Sequence, residues 1–185
     1  MEIIDYFEID DKQYWLSRIQ KSDWGAGKYL YELIAENRLK DLCGKTTKVL
    51  LLIEKKELIS FCTYAEQDDI REPSLSPWVG FVYTFPEFRG KHCMGSLLDY
   101  IHTLAKKEGR TYIYISTGEI GLYEKYGYKF WKIMKDIDGH DSRVYRMKVS
   151  VNSSLNYSTH SPRILKGVIS MFQGSSFFQS SAVCA

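Results

Sequence analysis

No apolar run in this 185-residue chain is long enough to span a bilayer, and no excess of basic residues marks it for nonspecific nucleic-acid binding. Its 25 Lys and Arg oppose 23 Asp and Glu. Positions 150–185 hold only Arg163 and Lys166 and no acid, so residues 1–149 carry 23 of each sign. That balance argues against nonspecific nucleic-acid binding, and the want of a long apolar run against a membrane partner. Metal spacing is missing too. Cys43, Cys62, Cys93 and Cys184 form neither a C-x-x-C pair nor a Cys/His pattern, so no metal is expected. No signal-peptide pattern precedes the acidic start Met1-Glu2, and a reduced, cytoplasmic setting is the expectation. The length suits one domain with a real core.

What is there is a strand, turn and helix unit from Val82 to Lys107, VYTFPEFRGKHCMGSLLDYIHTLAKK. Leu97, Leu98, Ile101, Leu104 and Ala105 recur on one helical face, while Asp99, His102, Lys106 and Lys107 take the other. The first amides of such a helix have no partners inside it, and with Arg89 and Lys91 just ahead they attract a diphosphate. Gly90 and Gly95 are spaced as in a Walker loop, but Ser96-Leu97 stands where Lys-Ser/Thr is required. The lysine for terminal phosphates is absent, which weakens an ATPase or kinase reading.

Elsewhere, residues 2–9 read as a strand, Asp10-Asp11 as the cap of a helix bearing Trp15, Leu16 and Ile19, and Lys28 to Leu42 as a second helix stopped by Gly44. Trp24, Tyr29 and Tyr31 are packing aromatics or the lining of a substrate cleft. Lys48 to Glu54 and Leu58 to Tyr64 form a hairpin around Lys55-Lys56-Glu57. Ala65 to Pro77 reads as a polar, mobile loop, with Glu66, Asp68, Asp69 and Glu72 a solvated charge run from which one carboxylate could meet an amine. Trp78–Thr84, Thr111–Ser116, Tyr128–Met134 and Arg143–Val149 complete the strands, the last two joined at Asp138-Gly139. Residues 150–185, with ten serines, read as a separate low-charge tail, disordered or loosely packed.

The order Pro86-Glu87-Phe88-Arg89-Gly90-Lys91, then Gly95-Ser96-Leu97-Leu98, resembles the acyl-coenzyme A loop of the GCN5-related N-acetyltransferases (GNAT), whose core pattern is Gln/Arg-x-x-Gly-x-Gly/Ala. Arg89 holds the first position. His92 stands where the first Gly belongs and Met94 where the Gly/Ala belongs, with Gly95 one place later. Further on, Gly121-Leu122-Tyr123-Glu124-Lys125-Tyr126-Gly127-Tyr128 resembles the family's Phe/Leu-Tyr-x-x-x-Gly-Phe/Tyr segment. The resemblance covers residues 1–149 and implies an α/β, acyl-CoA N-acyltransferase fold: a mixed, mostly antiparallel twisted sheet flanked by helices. In that fold two neighbouring parallel strands splay apart and the pantetheine arm lies in the gap.

The resemblance also implies a chemistry. Backbone amides near Tyr83 and Thr84 would hold the pantetheine and the thioester oxygen, and Arg89, Gly90, Lys91, His92, Cys93, Met94, Gly95 and Ser96 would form the pyrophosphate site. Tyr123 is the candidate general acid, since a phenol is protonated at neutral pH and can donate to a departing thiolate. Family members often place a basic Glu in the strand before the loop, but Pro77 to Phe81 contains no carboxylate. Glu119 is the first candidate base, with Asp68, Asp69 or a water chain behind it. Cys93, beside His92 at a helix start, is disfavoured as a nucleophile for want of an orienting group. The expected activity moves an acetyl group from acetyl-CoA directly to a primary amine, on a small molecule or a protein. The alternative is a noncatalytic acyl-CoA-binding regulatory module. A homodimer through the late strands is possible on the same resemblance.

Overall fold

The computed structural model describes residues 1–150, and the expected tail lies outside the described residues beyond Ser150. The chain runs β1 (Glu2–Asp5), α1 (Lys12–Gln20), α2 (Gly25–Ala35), α3 (Leu39–Cys43), β2 (Lys48–Glu54), β3 (Glu57–Ala65), β4 (Trp78–Thr84), α4 (Cys93–Lys107), β5 (Tyr112–Thr117), β6 (Lys129–Lys135) and β7 (Asp141–Lys148). Short 3-10 turns occupy Tyr6–Glu8, Pro86–Phe88 and Tyr123–Tyr126. One seven-stranded sheet has the order β1-β2-β3-β4-β5-β7-β6. Among the described strands only β4 and β5 pair in parallel, because α4 carries the chain back across the sheet between them. The mixed, mostly antiparallel sheet flanked by helices is therefore as the sequence implied.

Alternating strand residues feed separate cores. Val49, Leu51, Phe61, Phe81 and Tyr83 pack with α1 and α2, whereas Leu50, Cys62, Val79 and Val82 pack with Leu97, Leu98 and Ile101 of α4. The alternation in β4 holds only because the strand bulges. Pairing steps from Phe61↔Tyr83 to Thr63↔Gly80, one residue more on β4 than on β3, and Phe81 takes φ +49° at the irregularity.

Several boundaries differ from the sequence reading. The first strand ends at Asp5, because the Asp5 carboxylate accepts the Phe7 amide at 3.1 Å and turns the chain into a 3-10 turn. The second helix starts at Gly25 and breaks after Ala35, where Asn37 adopts φ +56° before α3 resumes. The largest correction concerns the loop between β3 and β4. Asp68 and Asp69 are each only 4 % exposed, and Ile70 and Leu75 are buried against Trp78, Tyr114 and Val144, so they are not a solvated charge run. Arg71 fastens the loop from outside, donating to the Leu42 carbonyl at 3.1 Å. The two apolar residues anchor the loop on the sheet, and its acids go in with them.

Ile70→Ala measures that anchoring. A docked loop loses about 2–4 kcal/mol in urea unfolding when this side chain is truncated, whereas a solvated loop would lose almost nothing.

Candidate active site

The strand order leaves a gap beside β4. One bridge, Trp78↔Tyr114, is all that joins β4 to β5, supported by the Tyr114 amide donating to the Pro77 carbonyl at 3.0 Å. Beyond Trp78 the β5-facing edge of β4 has no strand partner among the described residues, while β5 pairs on its other edge with β7 as far as Thr117↔Arg143. Tyr83 and Thr84 close the far end of that edge. Their side chains are occupied: the Tyr83 hydroxyl donates to Asp23 at 2.6 Å and Trp24 stacks on its ring, while the Thr84 and Ser60 hydroxyls lie 2.9 Å apart. Burial pushes Tyr83 up to about 12. Trp24 is thus a packing residue, and Tyr29 and Tyr31 are half-buried against the same core.

At the mouth of the gap stands α4. The Ser96 amide donates to the His92 carbonyl at 3.3 Å, leaving the amides of Cys93, Met94 and Gly95 without a partner inside the helix. His92 caps the helix in the left-handed region, φ +57°, a conformation ordinarily given to glycine. The histidine at the family's Gly position keeps the glycine backbone shape, with its side chain exposed. Met94 turns inward and is 8 % exposed, so its bulk does not obstruct the loop. Gly95 admits Tyr126, whose ring would come within 2.9 Å of any Cβ there. Gly90 is exposed at φ +75° and Lys91 at the surface donates to the Glu87 carbonyl at 2.8 Å.

The Arg89 and Cys93 side chains both turn back onto the protein here. Arg89 is folded back toward β4: its Nε donates to the Thr84 carbonyl at 3.0 Å and its guanidinium lies 3.6 Å from Asp23. Asp23, which the sequence reading did not select, therefore joins Arg89 and Tyr83 across the α1–α2 turn. The Cys93 thiol is buried and turned toward the Phe88 and Lys91 carbonyls, and burial raises its pKa in spite of Lys91 and the helix start, which removes the nucleophile reading.

Tyr123 lies on the α4 face of the sheet, completely buried, edge-on to Tyr128 with ring centroids 6.0 Å apart. Gly127, at φ +87°, ends its 3-10 turn and lets the chain enter β6. Among the described residues the Tyr123 hydroxyl has no hydrogen-bond partner. Burial first, then the neighbouring Tyr128, Cys62, Asp68 and Glu119, hold the phenol well above its usual range. Glu119 itself is exposed, its amide bonded to the Thr117 hydroxyl at 3.1 Å. On the opposite face Asp69 accepts from Ser116 at 3.1 Å, and Asp68 lies against Gly80. The tightest acid and histidine grouping among the described residues, Asp136, Asp138 and His140, sits in the β6–β7 turn, where Asp136 already accepts two backbone amides of that turn.

A sheet parted between two parallel strands, with free helix amides at the mouth and a buried phenol within, is the architecture of the GNAT fold. Residues 70–131 match the model of the acetyltransferase (GNAT) domain. Solved structures agree on the fold. A protein of the GNAT acetyltransferase family from Desulfovibrio desulfuricans superposes with TM-score 0.59 at 14% identity, covering 80% of this chain and 100% of that one. The aminoglycoside 6'-N-acetyltransferase from Enterococcus faecium gives TM-score 0.58 at 12% identity, covering 83% and 100%. A GNAT family acetyltransferase from Elizabethkingia anophelis with acetyl-CoA bound gives 0.55 at 16%, covering 80% and 97%. No curated protein sequence matches the chain.

The left-handed turn is open to a paired test. His92→Gly keeps stability within about 1 kcal/mol of the parent because relief of strain offsets the added chain entropy, whereas His92→Val, β-branched at the same φ, loses about 1–2 kcal/mol. Equal losses in thermal melts of the two variants would show that the imidazole, not the backbone, matters.

Proposed function

We propose that the chain is an N-acetyltransferase that moves an acetyl group from acetyl-CoA directly to a primary amine. The observation that supports this most is the Tyr123 hydroxyl, fully buried in the core that α4 shares with the sheet and without a hydrogen-bond partner among the described residues. Burying a hydroxyl unsatisfied costs about 1–3 kcal/mol, so its retention points to work done with something that arrives. The three free amides of α4 and the open edge of β4 suit a diphosphate and an amide-bearing pantetheine arm in turn.

When bound, acetyl-CoA supplies the reactive thioester. On this reading Cys93, Met94 and Gly95 hold the diphosphate through their amides, with Lys91 adding charge; Arg89 braces Thr84 and Asp23 rather than the phosphates. The β4 edge through Tyr83 and Thr84 orients the arm. Tyr123 gives its proton to the leaving sulfur. Its raised pKa does not forbid this, since the surroundings that disfavour a phenolate disfavour a bare thiolate as well. The acceptor is an amine on a small molecule or a protein.

Tyr123→Phe tests the assignment. The expected result is a fall in kcat of about 10²–10⁴-fold with acetyl-CoA affinity by calorimetry unchanged. Stability stays level or rises, because the lost hydroxyl had no partner. Full activity in this variant would contradict the role. A parent protein that binds acetyl-CoA yet acetylates no amine would favour the noncatalytic binding module instead.

A further inference from the structure

The β4 segment Pro77 to Phe81 has no carboxylate, yet one is delivered to it from outside. A Cβ built on Gly80 would lie 2.8 Å from Oδ2 and 3.0 Å from Oδ1 of Asp68, so the Asp68 carboxylate fills the space where a side chain at position 80 would begin. Gly80 faces away from α4, because Val79 before it packs in the α4 core. Asp69 reaches the other arm of the gap: Ser116 of β5 donates to its Oδ2 at 3.1 Å and lies 2.7 Å from Ser142 of β7. Consecutive acids therefore stand on the two parting strands, just past the Trp78↔Tyr114 bridge. Asp68 is 4 % exposed and its Oδ2 has no hydrogen-bond partner among the described residues. Tyr123, whose hydroxyl is another of the buried side-chain groups without a partner among the described residues, lies in the core on the α4 face of the sheet.

We infer that Asp68, carried over Gly80 by the β3–β4 loop, accepts the proton of the incoming amine, and that Asp69, held by Ser116, is its positioning residue. This assignment rests on the acetyltransferase reading above. An ammonium acceptor gives one proton to Asp68; the nitrogen–acetyl carbon bond forms as the carbon–sulfur bond breaks. Tyr123 protonates the sulfur and is repaid by the second nitrogen proton, and Asp68 releases its own to water. The sum is ammonium and thioester to amide, thiol and one proton.

The surroundings match that duty. Asp68 faces Asp69 and Arg71 of its own loop, Cys43 of α3 and Tyr123 beyond the gap. Burial first, and then the Asp69 charge, hold its carboxyl well above the usual range, against the smaller pull of the Asp69 amide and Arg71. A carboxyl so placed is a base only above its raised pKa, so turnover falls as pH drops through that value.

The test is the pH profile of kcat with acetyl-CoA and spermidine, lysine methyl ester or kanamycin, beside calorimetric acetyl-CoA binding. Asp68→Asn is expected to lose about 10²–10⁴ in kcat and the acidic limb, keep its coenzyme affinity, and recover rate at alkaline pH where the amine is already neutral. Asp69→Asn removes the like charge and moves the limb to lower pH. Gly80→Ala retains both acids but pushes the carboxylate aside, so kcat falls while KM for acetyl-CoA holds. A second readout needs no turnover. The folded carboxyl lies above its unfolded value, so its stabilising contribution is whole at low pH and is lost as pH rises through the folded value; the parent's Tm therefore declines relative to Asp68→Asn on alkalinisation. An active parent whose Asp68→Asn and Gly80→Ala variants keep its rate and limb overturns this assignment and leaves acetyl transfer standing. A parent that acetylates none of the three amines overturns both.

Discussion

The single bridge between β4 and β5 is the constraint from which the rest follows. Parallel neighbours ordinarily satisfy each other's amides and carbonyls along their length, yet here pairing stops at Trp78↔Tyr114 and β5 turns its other edge to β7. A backbone edge left open inside a sheet must meet water or a ligand. The bulge at Phe81 bends β4 at that point, and α4 leaves from its far end with three amides unsatisfied. An open strand edge and a helix start with amides unpaired inside the helix thus follow one another along the chain.

Around that edge the two faces of the sheet differ in chemistry. The α4 face is apolar and contributes a phenol, Tyr123; the other face, under the β3–β4 loop, contributes carboxylates, Asp68 and Asp69. Burial holds the protons of both kinds of group more tightly than water would. On the proposed reading an acid and a base are kept apart by the gap that the substrate fills, and neither discharges the other beforehand. Arg89, Asp23 and Tyr83 meanwhile tie the α1–α2 turn to the end of β4, which fixes these helices to the strand edge.

Much of this was legible in the residues. Helical periodicity gave α4, the apolar runs gave the strands, and the loop and Tyr123 motifs pointed to the fold that the domain match and the solved structures support. What periodicity cannot show is position across the sheet. The loop from Ala65 to Pro77 is rich in acids and so reads as solvated, but Ile70 and Leu75 pull it onto the sheet, and burial of Asp68 depends on a glycine twelve residues later. Gly80 was the available signal: a glycine within an apolar strand marks a close approach. The left-handed His92 was hidden for a different reason, since histidine tolerates that region well enough to replace the expected glycine without altering the turn. The direction in which Arg89 folds was not legible either, because a guanidinium has reach and sequence order does not say which way it turns.

Hydrogen exchange with and without saturating acetyl-CoA tests the central claim most directly, because it reports where the coenzyme lies rather than whether it binds. The account predicts slowed exchange at the amides of Cys93, Met94 and Gly95 and along the β5-facing edge of β4, with β1 and β2 unchanged. Saturation of the protein with no protection at either segment would contradict it.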